Sequence, residues 1–477
     1  MKQLEVYKNY QESNFEEFNN EFIYLREKED VNGYYEDLFK TLDSIPGVKF
    51  IGMEKISEAD SLDLDMLKSI SIEDSRLELL RARFVLTTEA ESKEISLPLF
   101  IPKLIDNFFY YLNGNRYYAI LQLADKNWYT VRNGIFLKTL LMPLGLKHNY
   151  ISFISESGTE YIAKYLMLNV LSKSSSNINS LKSFFPYFFI KYGVEGTLKK
   201  LDMFDDVHII DINNVCNTEG YEEFSINKAI KVLASTNRML EDEVFRDKVI
   251  TLCKTLELNV KKFINIEQED FWKKKILNSP TSKIERADKT IASIERILDE
   301  RTKKNLREIP EGEKDSAFDV IKWMVDHYDF IYNIDGVDIY NRRIRLTEYL
   351  LFPLLLKWSD IAVRILNSRN VDMKRLETVF SNIRPTFLIK RMMSNELIRY
   401  SNVTNAMNLF NVALKWSARG PQSLGANGAD INIRYRSIQR SYIGNISLNA
   451  SSNSDPGVSG SFVPFCKDVK DMFFEKE

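Results

Sequence analysis

The sequence predicts an α+β protein with more than one domain. Its 477 residues are 44% hydrophobic, which is enough to fill more than one core. Residues 82–88 and 94–101 are rich in β-branched and aromatic side chains, whereas helical spacing of apolar residues dominates from about 150 to 330. After about residue 400, helix-forming residues give way to Gly, Asn and Ser, which predicts a tail built from loops.

Two local elements can be placed directly. Asn113 and Gly114 stand between hydrophobic runs, and this pair favours the tight turn of a β-hairpin. Ser282 and Glu285 have the spacing of a helix capping box. The apolar residues that recur behind that box at three- and four-residue intervals are Ile284, Ala287, Ile291, Ile294 and Leu298. They predict an amphipathic helix with a charged outer face.

The bulk chemistry points to a reduced compartment and to no membrane span. Cys216, Cys253 and Cys466 are spaced too widely for a zinc knuckle or a redox motif, so we expect reduced thiols in a cytoplasmic protein. The longest apolar stretch contains Pro353 and stops at Lys357, which is too short to cross a bilayer. Lysine plus arginine (65) nearly balances aspartate plus glutamate (67), so the net charge does not indicate nucleic-acid binding.

A basic region is hidden within that balance. Between residues 384 and 440 the acids are Glu396 and Asp430. The basic residues of the same stretch are Arg384, Lys390, Arg391, Arg399, Lys415, Arg419, Arg434, Arg436 and Arg440. Interleaved aromatic residues would suit contact with phosphates and stacked bases, and an ordinary solvated basic surface fits the composition equally well.

Two further charged clusters are open to two interpretations. Residues 335–345, DGVDIYNRRIR, crowd acids and arginines before an apolar helix and could bind phosphate, although the pattern favours a structural salt-bridge cluster. Residues 205–211, DDVHIID, offer carboxylates and an imidazole, but they fit a loop-to-strand transition better than a metal site. Nucleotide-binding, hydrolase and nucleotidyltransferase motifs, including Asp-x-Asp-x-Asp, do not occur in the sequence.

Four segments, in order, resemble the N-terminal half of the β subunit of multisubunit DNA-dependent RNA polymerases. ISLPLFIP (95–102) followed by FYYLNGNRYYAILQ (109–122) is similar to the family's stretch ending in FIINGxERVIVSQ. Residues 335–345 resemble its DxxDxxGNRRIR segment. SNELIRYSNVTNAMN (394–408) resembles the fork segment that forms the rifampicin pocket, and WSARGPQSL (416–424) is similar to SALGPGGL.

The resemblance implies a domain plan. It comprises a first protrusion part at 1–140, an inserted helical-rich lobe at 141–334, a second protrusion part at 335–395, and the fork and split end at 396–477. The resembling family continues well beyond this point, so we expect a split-subunit polymerase of the giant-bacteriophage type. Apolar residues of the split end, Phe462, Val463 and Phe465, would then be exposed without a partner.

The resemblance also implies partners and cofactors. A C-terminal β-like chain and β′-like chains would complete the enzyme, a promoter-specificity subunit is possible, and DNA template and nascent RNA would be bound. Mg²⁺ would be held by the partner chains, and no cofactor by this one. Two other functions remain open: a catalytically inactive scaffold relative, and a stand-alone nucleic-acid-binding protein.

The site residues follow from the same resemblance, and none of them is expected to be catalytic. The residues expected near the RNA–DNA hybrid and the downstream duplex are Arg399, Lys415, Arg419, Arg434 and Arg436. Those expected to line the former antibiotic pocket beside nascent RNA are Asn402, Asn405 and Ser417. Their roles would be to position nucleic acid by charge and hydrogen bonding.

Departures from the family pattern predict poor rifampicin binding. Val412 stands where the bacterial subunit has a histidine that lines the antibiotic pocket, and Asn402 stands where an aspartate is usual. We expect the assembled enzyme to keep transcribing at rifampicin concentrations that stop a bacterial polymerase assayed in parallel. Inhibition of both enzymes at the same dose would contradict this expectation.

Overall fold

The fold is seen in a computed structural model. It describes residues 31–45, 47–56, 74–88, 91–105, 108–140, 143–169, 182–214, 218–227, 229–277, 284–367, 372–420, 423, 431–452, 455–464, 466, 469–470 and 472–474. Over these ranges helices alternate with five small sheets, which confirms the predicted α+β class.

The strands provide the frame of the molecule. In chain order they are β1 (Val48–Ile56), β2 (Leu77–Thr87), β3 (Ser92–Pro102), β4 (Leu104–Ile105), β5 (Phe109–Leu112), β6 (Asn115–Ala119), β7 (Leu121–Asp125), β8 (Trp128–Val131), β9 (Gly134–Leu137), β10 (Leu144–Ile154), β11 (Glu160–Asn169), β12 (Lys182–Ser183), β13 (Val207–Asp211), β14 (Tyr221–Ile226), β15 (Ile230–Ser235), β16 (Arg342–Arg345), β17 (Ile398–Tyr400), β18 (Lys415–Ser417), β19 (Ser459–Ser461), β20 (Val469–Lys470) and β21 (Phe473–Phe474).

The helices lie mainly in the second half of the chain. They are α1 (Val31–Lys40), α2 (Phe185–Lys200), α3 (Thr236–Glu241), α4 (Glu243–Asn259), α5 (Glu269–Ile276), α6 (Glu285–Glu295), α7 (Glu300–Asn305), α8 (Ala317–Asp326), α9 (Tyr328–Tyr332), α10 (Thr347–Asn367), α11 (Met373–Ser381), α12 (Phe387–Met393), α13 (Ala406–Ala413) and α14 (Ile433–Arg436).

The predicted N-terminal strands form an antiparallel meander. β2 and β3 contain the two strand-like runs and pair along their whole lengths, with β1 on the other edge of β2. Aromatic side chains join this sheet to helices from distant parts of the chain. The Phe39 ring of α1 lies 5.9 Å from the Trp358 ring of α10 and 6.0 Å from that of Phe84 in β2. This core therefore already contains residues separated by more than 300 positions.

The hairpin predicted at Asn113 and Gly114 is confirmed. β5 and β6 are antiparallel, and Leu112 pairs with Asn115 across a two-residue turn. Asn113 has φ = 49° and Gly114 has φ = 73°, so both central residues are left-handed, as the common hairpin turn of this type requires.

The middle region contains more strand than the sequence indicated. β10 to β15 occupy much of residues 144–235, in a five-stranded sheet of order β12-β11-β10-β9-β8 and a three-stranded sheet of order β13-β15-β14. The expectation that helix dominates from about 150 was therefore wrong; helices dominate only from α3 onward. From Ala163 to Asn169 six of the seven residues of β11 are buried, so this part of the strand lacks the alternation that marks a half-buried strand.

The amphipathic helix of this region is present as α6. Ala287 and Ile294 are fully buried and Ile291 is buried, so the predicted apolar face is confirmed over these positions. Leu298 is also buried, but it lies beyond the end of the helix at Glu295. Ser282 lies outside the described residues.

The predicted domain limits remain predictions, but one of them divides a sheet. A limit between residues 140 and 141 falls between β9 and β10, which pair antiparallel from Leu144 opposite Leu137. A limit near Asp125, where β7 ends, would leave the five-stranded sheet intact.

A six-stranded sheet of order β19-β18-β7-β16-β21-β20 gathers three distant parts of the chain. On one side of β7, β16 pairs antiparallel, with Arg342 opposite Asp125. On its other side, β18 pairs parallel, with Ser417 opposite Gln122. The chain therefore leaves this sheet after Asp125 and returns to it at Arg342, on the neighbouring strand.

The arginines of the 335–345 cluster are structural. Arg342, Arg343 and Arg345 of β16 are all buried. The two terminal nitrogens of Arg343 bind both carboxylate oxygens of Glu348 at 2.7 Å, and Nε of Arg345 lies 3.4 Å from the same carboxylate. Arg342 donates from Nε to the carbonyl of Gly336 at 2.9 Å. The salt-bridge interpretation is confirmed for Arg343 and Arg345, whereas Arg342 is held by a backbone carbonyl.

A β-branched residue at Gly114 should destabilise the hairpin. Gly114→Val places a branched side chain at φ = 73°, where L-residues are strained, and we expect a loss of about 1 to 2 kcal/mol in the free energy of unfolding. Gly312→Val is the matched control, because a Cβ there meets nothing within 4 Å and the backbone is not left-handed. Urea unfolding measures both; equal losses would contradict the turn assignment.

Removing the charge of Glu348 should destabilise the protein in a pH-dependent way. Burial raises the pKa of Glu348, but the Arg343 and Arg345 guanidinium groups outweigh burial and lower the pKa to about 2, from an unfolded value of 4.5. The resulting stabilisation is full above pH 4.5 and is lost as pH falls toward 2.

Glu348→Gln should therefore cost about 3 to 5 kcal/mol at pH 7, and the difference from the native protein should shrink below pH 4.5. Glu36→Gln is the control, since Glu36 pairs with Lys40 at 2.8 Å on the surface and should contribute less than about 1 kcal/mol. A pH-independent loss at Glu348, measured by urea unfolding, would show that its charge is not responsible.

Candidate nucleic-acid interface

The two short strands of the fork region, β17 and β18, pair with β6 and β7, which follow each other directly in the sequence. β6 is followed at once by Ile120, whose N–H donates to the Leu397 carbonyl at 2.9 Å, and then by β7. β17 pairs with β6, placing Arg399 opposite Tyr118, while β18 pairs with β7. Tyr118 and Gln122 are four residues apart, so the two pairing positions are at most about 14 Å apart along the chain.

Side-chain alternation on β18 separates a core residue from two outward ones. Trp416 is buried and packs against Phe462 with ring centroids 6.1 Å apart. Lys415 is exposed and Ser417 is half-buried, on the opposite face of the strand. The predicted residues Lys415 and Ser417 therefore share one face.

β17 is an edge strand, and it presents a cation and an aromatic ring to solvent. Arg399 and Tyr400 are both exposed, with 64% of Tyr400 accessible. The Tyr400 ring meets Tyr117 edge to face, with centroids 6.2 Å apart. Among the residues that the structure describes, neither Arg399 nor Lys415 forms an ion pair. Their charges are available to an anionic ligand.

The other predicted arginines already have carboxylate neighbours. Arg419 lies 3.5 Å and Arg436 3.6 Å from Asp455, so one carboxylate brings the two arginines together. Arg434 pairs with Asp335 at 3.0 Å, joining the fork to the 335–345 cluster. These are surface pairs, which are weak and can exchange a carboxylate for a phosphate.

Asp455 was not predicted as part of this site. It follows Arg419 by 36 residues and Arg436 by 19, and no sequence spacing links it to either. A lone aspartate in a Ser- and Asn-rich loop carries no signal of its own, so only the fold reveals the pairing.

Close backbone packing beside Arg419 explains the following glycine. Gly420 has φ = +113°, and a Cβ there would lie 2.7 Å from Leu397 and 2.9 Å from the Gln122 amide. The Gln122 amide in turn donates to the Arg419 carbonyl at 3.1 Å. This contact fixes the backbone that presents Arg419 next to β7.

Two of the three predicted polar contacts also have structural roles. Asn405 caps α13, because its side-chain oxygen accepts the Asn408 N–H at 2.8 Å. The Ser417 hydroxyl accepts the Arg419 N–H at 3.1 Å. Asn402 is exposed. The structure places all three on the fork segment between β17 and Arg419.

Val412, where the resembling family has a histidine, is a core residue. It is 5% exposed and belongs to a cluster with Phe108, Phe109 and Tyr118. Burial raises the pKa of the Tyr118 hydroxyl, and the nearby Arg399 guanidinium opposes that shift. An apolar side chain at position 412 therefore supports the platform beneath Arg399.

The expectation of exposed apolar surface at the split end was wrong for Phe462. This side chain is 1% exposed and lies between Trp416 and Phe474, whose ring centroid is 5.9 Å away. Val463 is partly buried against the same cluster. Phe465 lies outside the described residues. Because β19 pairs with β18, the residues that directly follow β19, Phe462 and Val463, pack in the core of this chain.

Protein cations pair with several of the candidate metal-binding groups. Within 205–211, Asp206 pairs with Arg238 at 2.6 Å, and Val207–Asp211 form β13, which confirms the loop-to-strand interpretation. Among the described residues, Glu243, Asp247 and Asp329 are the carboxylates close enough together to hold a metal ion. Lys164 Nζ lies 2.7 Å from Asp329, 3.2 Å from Glu243 and 3.5 Å from Asp247. The lysine ammonium fills that position.

Two of the three cysteines are buried as free thiols. Cys253 and Cys466 are buried and unbridged, as predicted, and Cys216 lies outside the described residues. In the part of the chain that the structure describes, no helix combines the length and the apolar character that a membrane span needs.

Comparison with known proteins supplies the family. The model of a family described as "Non-virion RNA polymerase subunit" matches residues 3–476, nearly the whole chain. No curated protein matches the sequence. The chain therefore belongs to the non-virion RNA polymerase subunit family and is part of a bacteriophage RNA polymerase, a nucleotidyltransferase complex.

Proposed function

We propose that this subunit corresponds to the N-terminal half of a β subunit and forms one wall of the polymerase cleft. The segments that resemble that subunit support this proposal because they are neighbours in space. β5, β6 and β7 carry the first of them, β16 the second, and β17 and β18 the last two. β7 lies between β16 and β18, and β6 lies beside β17.

The observation that carries the proposal is the exposed charge of Arg399 and Lys415, which have no ion-pair partner among the residues that the structure describes. Both side chains lie on strands that flank β6–β7, and Tyr400, the next residue of β17, adds an exposed ring on the other face of that edge strand. Cations without a protein partner neutralise phosphates at little cost, and aromatic faces accept stacked bases. Arg399 and Lys415 therefore form the primary contact with the RNA–DNA hybrid.

The ion-paired arginines form a second group. Arg419, Arg434 and Arg436 face Asp455 and Asp335, so a phosphate must replace a carboxylate before they bind it fully. They contribute less than Arg399 and Lys415 to holding the hybrid or the downstream duplex. Asn402 and Asn405 lie between Arg399 and Lys415 in sequence, and Ser417 lies between Lys415 and Arg419. All three contact the nascent RNA by hydrogen bonds.

Bond chemistry belongs to the partner chains in this proposal. A C-terminal β-like chain completes the subunit, β′-like chains hold Mg²⁺ with their aspartates, and a promoter-specificity subunit selects the start site. This chain positions nucleic acid and binds no cofactor. An inactive scaffold, the main alternative, would conserve the fold without requiring free cations beside β6–β7.

Charge reversal at Arg399 and Lys415 should weaken retention of the transcript. We expect Arg399→Glu/Lys415→Glu polymerase, reassembled with its other subunits, to release RNA from stalled complexes faster than the native enzyme. Because two phosphate contacts are lost, the slope of log retention against log KCl should become shallower by about 1 to 2. Release of labelled RNA at a series of KCl concentrations measures both quantities.

The matched control is Lys261→Glu/Lys262→Glu, two exposed lysines between α4 and α5. It makes the same change in net charge away from the proposed contact and should leave release unchanged. Native release and slope in the Arg399/Lys415 variant would contradict the cleft-wall role. Equal effects in both variants would show that only total charge matters.

A further inference from the structure

The hairpin of β10 and β11 presents an apolar patch to solvent. Its register pairs Tyr150 with Lys164, Ser152 with Ile162 and Ile154 with Glu160. Residues at alternate positions share a face, and diagonal neighbours across two strands are in contact range. Tyr150 is 66%, Ile162 65% and Ile154 63% exposed, so three large apolar side chains lie side by side in water.

The same hairpin has a free edge. β9 pairs with β10 only as far as Lys147, and the His148 N–H then donates to the Asn133 carbonyl at 2.9 Å. Within the described chain, β11 is the one strand that pairs with residues 149–154 of β10. An open strand edge beside exposed apolar side chains is a site where a further strand can add.

The opposite face holds the hairpin rigid. Phe153 and Tyr161 pack edge to face against Phe224 of β14, with centroids 6.0 Å and 5.8 Å away. On the outer face, the His148 ring binds the Tyr328 hydroxyl at 2.7 Å and meets the Tyr150 ring at 5.2 Å. The patch is therefore preformed, and a ligand need not order it.

Carboxylates surround the patch. Glu160 is exposed opposite Ile154 at one end. At the other end Lys164 is shared by Asp329, Glu243 and Asp247, so one ammonium faces three carboxylates. The side chains of Asp329 and Glu243 remain 45% and 61% exposed. The rim is acidic overall.

We propose that this patch and the free edge of β10 dock an extended segment of another polymerase subunit, with apolar side chains flanked by lysine or arginine. The acidic rim selects the occupant. A second copy of this chain would bring the carboxylates of Glu160, Asp329 and Glu243 close to the same carboxylates of its partner, which repel them, whereas a basic segment neutralises the rim. The inference rests on membership of a polymerase-subunit family and is independent of the cleft-wall role.

Site-specific cross-linking in the assembled enzyme tests the partner. With Tyr150 replaced by the photo-reactive p-benzoyl-phenylalanine, irradiation of the polymerase reassembled from co-produced subunits should link position 150 to an apolar, Lys/Arg-flanked segment of another subunit. The same replacement at Leu258, which is 61% exposed on α4, is the control. Cross-links to a second copy, or no greater yield at 150 than at 258, would overturn the proposal.

Matched substitutions test the contribution to assembly. Ile154→Asp/Ile162→Asp should lower recovery of the co-produced subunits on the tagged chain about tenfold or more, since buried apolar anchors dominate interfaces. Leu258→Asp/Ile264→Asp changes residues of similar exposure, 61% and 68%, and should not. Unchanged thermal unfolding of each isolated chain shows that the variants fold.

Amide hydrogen exchange provides an independent readout of the native chain. Residues 149–154 should exchange more slowly in the assembled polymerase than in the isolated chain, because an added strand takes up their outward N–H groups. Equal exchange in the two states would overturn strand addition, as would native assembly of the Ile154/Ile162 variant.

Discussion

The pairing of β7 with both β16 and β18 is the constraint on which the rest of the structure depends. Three short strands, from residues 121–125, 342–345 and 415–417, meet in one sheet. Closing such long segments costs conformational entropy. The buried arginines on Glu348 and the Trp416–Phe462 contact supply compensating interactions at the same place. Without this sheet, β18 and its exposed Lys415 would not be held near Arg399 of β17.

Burial divides the arginines of this chain into two functional classes. Arg343 and Arg345 are enclosed with Glu348, so their charges are committed to the fold. Arg399 lies on an edge strand, where its charge stays available. Arg419 occupies an intermediate position, because Asp455 is close but both groups touch solvent. The same residue type thus stabilises the sheet in one strand and presents charge in the next.

Local signals in the sequence predicted local structure well. Asn113 and Gly114 specify their turn by backbone conformation alone, and the α6 spacing marks a buried face within one helix. The expectation of helix from about residue 150 was wrong in part because burial of β11 on both faces, over much of its length, removes the alternation that identifies a strand. Asp455 and Phe462 could not be placed, since their partners lie 12 to 46 residues away and depend on sheet pairing.

We propose that the strands beside β6–β7 touch nucleic acid in the working polymerase. Photo-cross-linking from 4-thiouridine in the transcript of a stalled elongation complex, followed by mass spectrometry of the linked peptides, tests this contact. We expect links within residues 398–419 of this subunit. Links confined to other subunits, or to regions of this chain remote from β17 and β18, would contradict it.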